Sequence, residues 1–149
     1  MYQKVLVPLD SSELAECALS EVKKLAKGGM VCEIILLSVV EIPTLNVGEG
    51  IDYSTLKRSR YERLEKYLEN TRSQVGSEGV TVKTEVREGD AAQAIIDYVK
   101  KNAVDLIVIA THGYTGMKQL MFGSVALKVL HDAHVPVLLI RPGSGREKA

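Results

Sequence analysis

The feature that most constrains the fold of this chain is a rhythm. Short, almost uninterrupted apolar runs recur five times, at Val5–Leu9, Val31–Val40, Val80–Val86, Leu106–Ala110 and Val135–Ile140. Between them lie longer stretches in which apolar residues return every three or four positions. A short apolar run bounded by turn residues fits a strand, and one that is apolar at every position fits a strand covered on both faces. The intervening stripes are helical: Leu14, Cys17, Ala18, Val22 and Leu25, then Leu56, Leu64, Leu68 and Val75, then Ala92, Ile95, Ile96 and Val99, with a last helical region reaching Ala133. Strands alternating with helices make βαβ units, and such crossovers are right-handed almost without exception. The expectation is a single doubly wound α/β domain over residues 1–142. It has a five-stranded parallel sheet of order 3-2-1-4-5 and helices on both faces, followed by a polar tail at 143–149.

Punctuation residues set the boundaries. Asp10-Ser11-Ser12-Glu13 starts the first helix, with Asp10 or Ser11 as N-cap, and Gly28-Gly29 ends it. Ser54 is placed to cap the second helix and Gly89-Asp90 to start the third. Val80, Val82 and Val86 alternate with Thr81, Lys83 and Glu85, the pattern of a half-exposed edge strand. Residues 41–53 form the longest irregular connection, of a length typical of lids and mobile loops. The charges of the second helix, including Arg58, Arg60, Glu62, Arg63 and Glu65, read as a solvated mixed-charge face.

Composition excludes several classes. At 149 residues the chain is long enough for one domain with a sizeable core. Nineteen basic residues balance nineteen acidic ones, against the basic excess expected of a nucleic-acid binder. No apolar run approaches the roughly 20 residues that span a bilayer, and the first residues do not read as a secretory signal. Cys17 and Cys32 lack metal-ligand or redox spacing and read as reduced core thiols of a cytoplasmic protein.

Open parallel sheets bind ligands beyond the carboxyl ends of their strands, where strand order reverses. The two most apolar strands, the first and the fourth, are the candidates for that central pair. Asp10-Ser11-Ser12 follows one, and Ala110-Thr111-His112-Gly113 the other. Gly113 lets backbone approach an anion closely, and Gly123-Ser124 is expected to open a helix whose N–H groups and dipole attract negative charge. The alternative is that the glycines only permit tight turns and Ser124 only caps. Neither a Walker-type G-x-x-x-x-G-K-[ST] segment nor a glycine fingerprint after the first strand is present.

The run Ala110-x-x-Gly113, nine residues, then Gly123-Ser124 resembles the G-x-x-G-x9-G-[ST] signature of ATP-binding universal stress proteins. Lys4 to Ser11, Leu37-Ser38-Val39 and Pro136 to Arg141 share the likeness, which covers roughly residues 3–142. The resemblance implies an adenine-nucleotide site for ATP, ADP or AMP. In it Asp10 contacts the nucleoside, Pro8, Leu9, Val39 and Ile109 wall the adenine, and Gly113, Gly123, Ser124 and Val125 hold the phosphates. Ala110 departs from the family glycine at the point where backbone nears ribose or phosphate. Alanine there costs little in ordinary strand geometry and weakens the site otherwise.

Several roles stay open. Asp10 can also serve as an N-cap, His112 can hold charge or order the loop, and Lys118 lies on an exposed turn. Mg²⁺ or Mn²⁺ is expected only through the phosphates, with no dedicated protein metal site. The resemblance further implies a homodimer formed through the last strand, Val135–Ile140. The function expected is a nucleotide-dependent regulatory module of the stress response. Its alternatives are a slow ATPase or autophosphorylating enzyme and a nucleotide-independent interaction module. A response-regulator domain is excluded, since the acidic pair after strand one and the lysine after strand five are missing.

Overall fold

In the computed structural model, residues 1–41, 53–76, 79–111 and 120–141 are described. Five parallel strands form one sheet: β1 (Tyr2–Pro8), β2 (Val31–Val40), β3 (Thr81–Glu88), β4 (Leu106–Ala110) and β5 (Val137–Ile140), in the order β3-β2-β1-β4-β5. Four helices connect them: α1 (Glu13–Lys27), α2 (Tyr53–Val75), α3 (Ala91–Lys101) and α4 (Leu120–Asp132). α1 packs beside α2 on one face of the sheet, and α3 beside α4 on the other. This is the architecture the rhythm of apolar runs requires, in the strand order expected.

β1 lies at the centre, with Val5 opposite Ile34 of β2 on one side and Leu106 of β4 on the other. Val5, Leu6 and Val7 are fully buried, as are Ile107, Val108 and Ile109 of β4. At the edge, β3 keeps its predicted alternation over Thr81–Lys83, with Val82 buried and its neighbours exposed, whereas Thr84, Glu85 and Val86 are all partly buried. The other edge, β5, leaves Leu138 and Leu139 exposed. β5 starts two residues later than the apolar run predicts, at Val137, while the preceding Pro136 carbonyl accepts from Ile107 N–H at 3.0 Å.

Local chemistry accounts for the helix ends and corrects several boundaries. Ser12, rather than Asp10 or Ser11, is the N-cap of α1, its hydroxyl accepting from Ala15 N–H at 3.0 Å. The cap moves because Ser11 adopts a left-handed φ of 67°, which delays the first helical residue. Glu13 and Glu16 in the first turn and Lys24 and Lys27 in the last complement the helix dipole. Asp90 caps α3 as expected, accepting from Gln93 N–H at 3.0 Å. α2 begins at Tyr53, which puts Ser54 inside it, and α4 begins at Leu120, ahead of Gly123.

The two cysteines are free but only half-buried, which corrects their reading as core thiols. Cys17 lies at the border of the buried face of α1, and Cys32 sits near the start of β2 with its Sγ 3.5 Å from Met1 Sδ. Burial first, then the Glu16 and Glu13 carboxylates, push the Cys17 thiol up, so it carries little nucleophilic thiolate.

Candidate functional site

The sheet order reverses at β1, whose two neighbours lead their crossovers to opposite faces, and such a reversal opens a crevice at the carboxyl ends of the strands. The exit of β1 is fixed by two bonds. Leu9 N–H donates to the Leu37 carbonyl at 2.8 Å, and the buried Ser38 hydroxyl donates to the Leu9 carbonyl at 2.7 Å. Asp10 follows immediately and is exposed. Its Oδ1 accepts from Ser12 N–H at 3.0 Å and from the Ser12 hydroxyl at 2.5 Å. Asp10 thus builds the turn that precedes α1 and leaves the capping to Ser12.

The exit of β2 is tied down from three directions. The Val40 carbonyl accepts from Gly89 N–H at 3.0 Å, the Glu41 carbonyl accepts from Arg60 at 3.1 Å, and Glu41 Oε2 accepts from Ala91 N–H at 3.0 Å. Glu41 therefore places a carboxylate at the N-terminus of α3, where the helix dipole favours negative charge. Further along α2, the Tyr67 hydroxyl donates to Glu16 Oε2 at 2.7 Å, pinning α2 to α1. Burial and then this bond to Glu16 raise the Tyr67 hydroxyl well above its ordinary range.

These exits enclose a cavity of about 480 Å³, a size suited to a small organic ligand. Pro8, Leu9, Asp10 and Ser11 come from the end of β1, and Leu37, Val39, Val40 and Glu41 from the end of β2. α2 contributes Arg60, Arg63 and Leu64 to the wall, while Ala91 and Ile95 of α3 and Val125 of α4 close the other side. Among the described residues the lining is mostly aliphatic, with charge confined to Asp10, Glu41 and the two arginines. A second, more polar hollow of about 520 Å³ adjoins it through the shared Val125, lined also by Asp90, Gln93, Ser124 and Lys128.

Five of the site residues singled out from the sequence, Pro8, Leu9, Asp10, Val39 and Val125, line the cavity together. Ser124 faces the adjoining hollow. Gly123 is buried as the fourth residue of α4, and Ser124 is the fifth. The N–H of Ser124 is thus committed to the helix, since only the first four lack an intrahelical partner. Ile109 and Ala110 are wholly buried in β4 between β1 and β5 and are not among the lining residues. His112, Gly113 and Lys118 lie outside the described residues, as do most of the connection at 41–53 and the tail from 142.

Ala110 pairs with Ile140 in the sheet, and among the described residues only Ser11 and Ala103 are non-glycine residues at positive φ. Its methyl therefore sits in ordinary strand backbone with no conformational cost. Sequence reasoning missed Arg60 and Arg63, read as part of a solvated face, and also Glu41, Leu64 and Ile95. The signal for the arginines was their spacing: positions 60, 63 and 64 share a side of the helix with Tyr67. Among the described residues no group of three or more His, Cys, Asp or Glu side chains could hold a metal ion. No helix there is long and apolar enough to cross a membrane.

A doubly wound sheet with a mostly apolar cavity at its switch point defines an α/β domain of the class whose ligands sit at the carboxyl ends of the strands. Residues 1–141 match the sequence model of the universal stress protein family, and the chain belongs to that family. Universal stress protein MJ0577 of Methanocaldococcus jannaschii is 31% identical over 95% of this chain and 96% of its own length. Universal stress protein YxiE of Bacillus subtilis is 31% identical over 95% of this chain and its full length. The solved structure of MJ0577 superposes with a TM-score of 0.82 at 32% identity, over 97% of this chain and 99% of that one. More distant structures share the fold. They include a universal stress protein in complex with cAMP, at 17% identity with a TM-score of 0.66 over 95% of this chain and 99% of that one. An Arabidopsis thaliana member with AMP bound, at 20% identity, gives 0.62 over 95% of this chain and 93% of that one.

Proposed function

We propose that this protein binds an adenine nucleotide, ATP or its ADP and AMP relatives, and serves as a nucleotide-responsive regulatory module in the cytoplasm. The observation that carries the reading is the cavity at the ends of β1 and β2, where Pro8, Leu9, Asp10, Val39 and Val125 meet. Its aliphatic walls suit the faces of a purine. The Asp10 carboxylate, an acceptor only, suits ribose hydroxyls or the adenine amino group. Phosphates then extend toward the hollow that holds Ser124 and Lys128. Mg²⁺ or Mn²⁺ enters on the phosphate oxygens and needs no protein cluster. The distant relatives with cAMP and AMP bound support an adenine ligand in this fold. Residues 1–142 form the nucleotide-binding unit, and the exposed edge β5 joins two copies into a homodimer, as unpaired edge strands invite.

Native mass spectrometry of freshly purified protein, followed by calorimetric titration with ATP and Mg²⁺, tests the reading. Micromolar binding is expected, weakened about tenfold or more in Asp10→Ala by loss of charge-assisted hydrogen bonds. An intact, folded protein that takes no adenine nucleotide refutes it and leaves a nucleotide-independent interaction module.

A further inference from the structure

Of the four charged side chains that the described residues place on the cavity wall, three are held by contacts within the protein. Asp10 Oδ1 is bonded to Ser12, Glu41 Oε2 to Ala91 N–H, and Arg60 to the Glu41 carbonyl. Arg63 differs. It follows Arg60 by three positions and so shares its side of α2, it lines the cavity, and it is exposed. Among the described residues its guanidinium has no hydrogen bond or ion pair. An arginine on an aliphatic wall, one turn from a neighbour already engaged, is a cation available to whatever fills the space.

A guanidinium can grip an anion through paired N–H donors, or lie flat against an aromatic ring. Its place in the fold decides between the two. α2 covers the face of the sheet opposite α3 and α4, whereas the polar hollow with Ser124 and Lys128 lies on the α3 and α4 side. A nucleotide whose phosphates reach toward Ser124 therefore presents its base, not its phosphates, to α2. The exits of β1 and β2 supply aliphatic surface for one face of that base, and the other face is left for the α2 wall. Bases are commonly stacked on guanidinium planes in this way, because every base has a π-face.

We propose that Arg63 is a ligand-contacting residue that stacks its guanidinium on the purine ring and so contributes affinity independent of the phosphates. This rests on the reading of the cavity as an adenine-nucleotide site. Arg60, held on the Glu41 carbonyl, keeps the α2 wall against the end of β2.

The test is calorimetric titration of adenosine, AMP and ATP into the wild-type protein and into Arg63→Ala, Arg63→Gln and Arg63→Lys, at low and at moderate salt. Arg63→Ala and Arg63→Gln weaken all three ligands by a common factor of about ten. Arg63→Lys loses part of that factor, since an ammonium keeps the charge but not the plane. A loss that is absent for adenosine and grows with each phosphate overturns the proposal, because the arginine then meets the phosphates. Unchanged affinity in Arg63→Ala and Arg63→Gln overturns it as well, while the nucleotide site stands. A wild-type protein that binds none of the three ligands removes the site itself and the proposal with it. Far-ultraviolet circular dichroism of each variant confirms that exposed position 63 leaves the fold intact.

Discussion

Ser38→Ala removes a single oxygen atom from a place where the sheet has little to replace it. Ser38 is 1% exposed, and its hydroxyl donates to the Leu9 carbonyl at 2.7 Å. The average hydrogen bond contributes about 1 kcal/mol net, but leaving a buried carbonyl without that partner adds a desolvation cost of about 1–3 kcal/mol. Leu9 is itself buried, so water cannot readily take the place of the hydroxyl. The two effects overlap, and the expected destabilisation is about 2 kcal/mol. For a chain of 149 residues, each kcal/mol shifts the melting temperature by about 2–4 °C, which gives a fall of about 4–8 °C. Urea unfolding with an unchanged m-value measures the free energy, and a thermal scan measures the shift. Ser20→Ala is the control: its hydroxyl also donates to a backbone carbonyl, that of Cys17 at 3.3 Å, but in an exposed position, and it should change stability by less than about 0.5 kcal/mol. The lost bond also frees the backbone immediately before Asp10, so nucleotide affinity should fall severalfold. A Ser38→Ala loss no larger than that of Ser20→Ala would refute the reasoning, because burial would then have added nothing.

The remaining predictions concern the helix pair and the sheet edge. Tyr67→Phe removes the bond to Glu16 and should cost about 1 kcal/mol at neutral pH, discounted because the group is only half-buried. Folding raises the Tyr67 hydroxyl above its ordinary value of 10, so its contribution is whole below pH 10 and is lost as pH rises from there through the folded value. The gap between wild type and Tyr67→Phe in urea midpoints should accordingly close above pH 10, and a constant gap would deny the Tyr67–Glu16 bond. Leu138 is 38% exposed on the edge strand β5, so the proposed β5 homodimer predicts that wild type sediments as a dimer and Leu138→Asp as a monomer with the fold unchanged. A variant that sediments as wild type does would refute a dimer joined through β5.

Fold class, strand count, the central place of β1 and β4 and the edge place of β3 were legible in the sequence, because each follows from where apolar residues sit along the chain; the edge place of the apolar β5 does not. A run such as Leu106–Ala110 has no polar side to give to solvent, and Val80–Val86 has one. Helix ends were less legible. Asp10, Ser11 and Ser12 all have side chains suited to an N-cap, and only the left-handed φ of Ser11 selects the third. Of the site, the residues next to strand ends came forward from sequence, since a parallel sheet always places its ligand there. The α2 wall did not. Arg60 and Arg63 look like any charged pair on a solvated helix until the Tyr67–Glu16 bond and the Arg60–Glu41 contact dock that helix against β2. The sequence by itself thus determined what must be buried, through hydrophobic periodicity, which is a local property. Only the tertiary structure decided which charged residues turn toward the cavity, because that depends on how helices far apart in sequence seat against one another across the sheet.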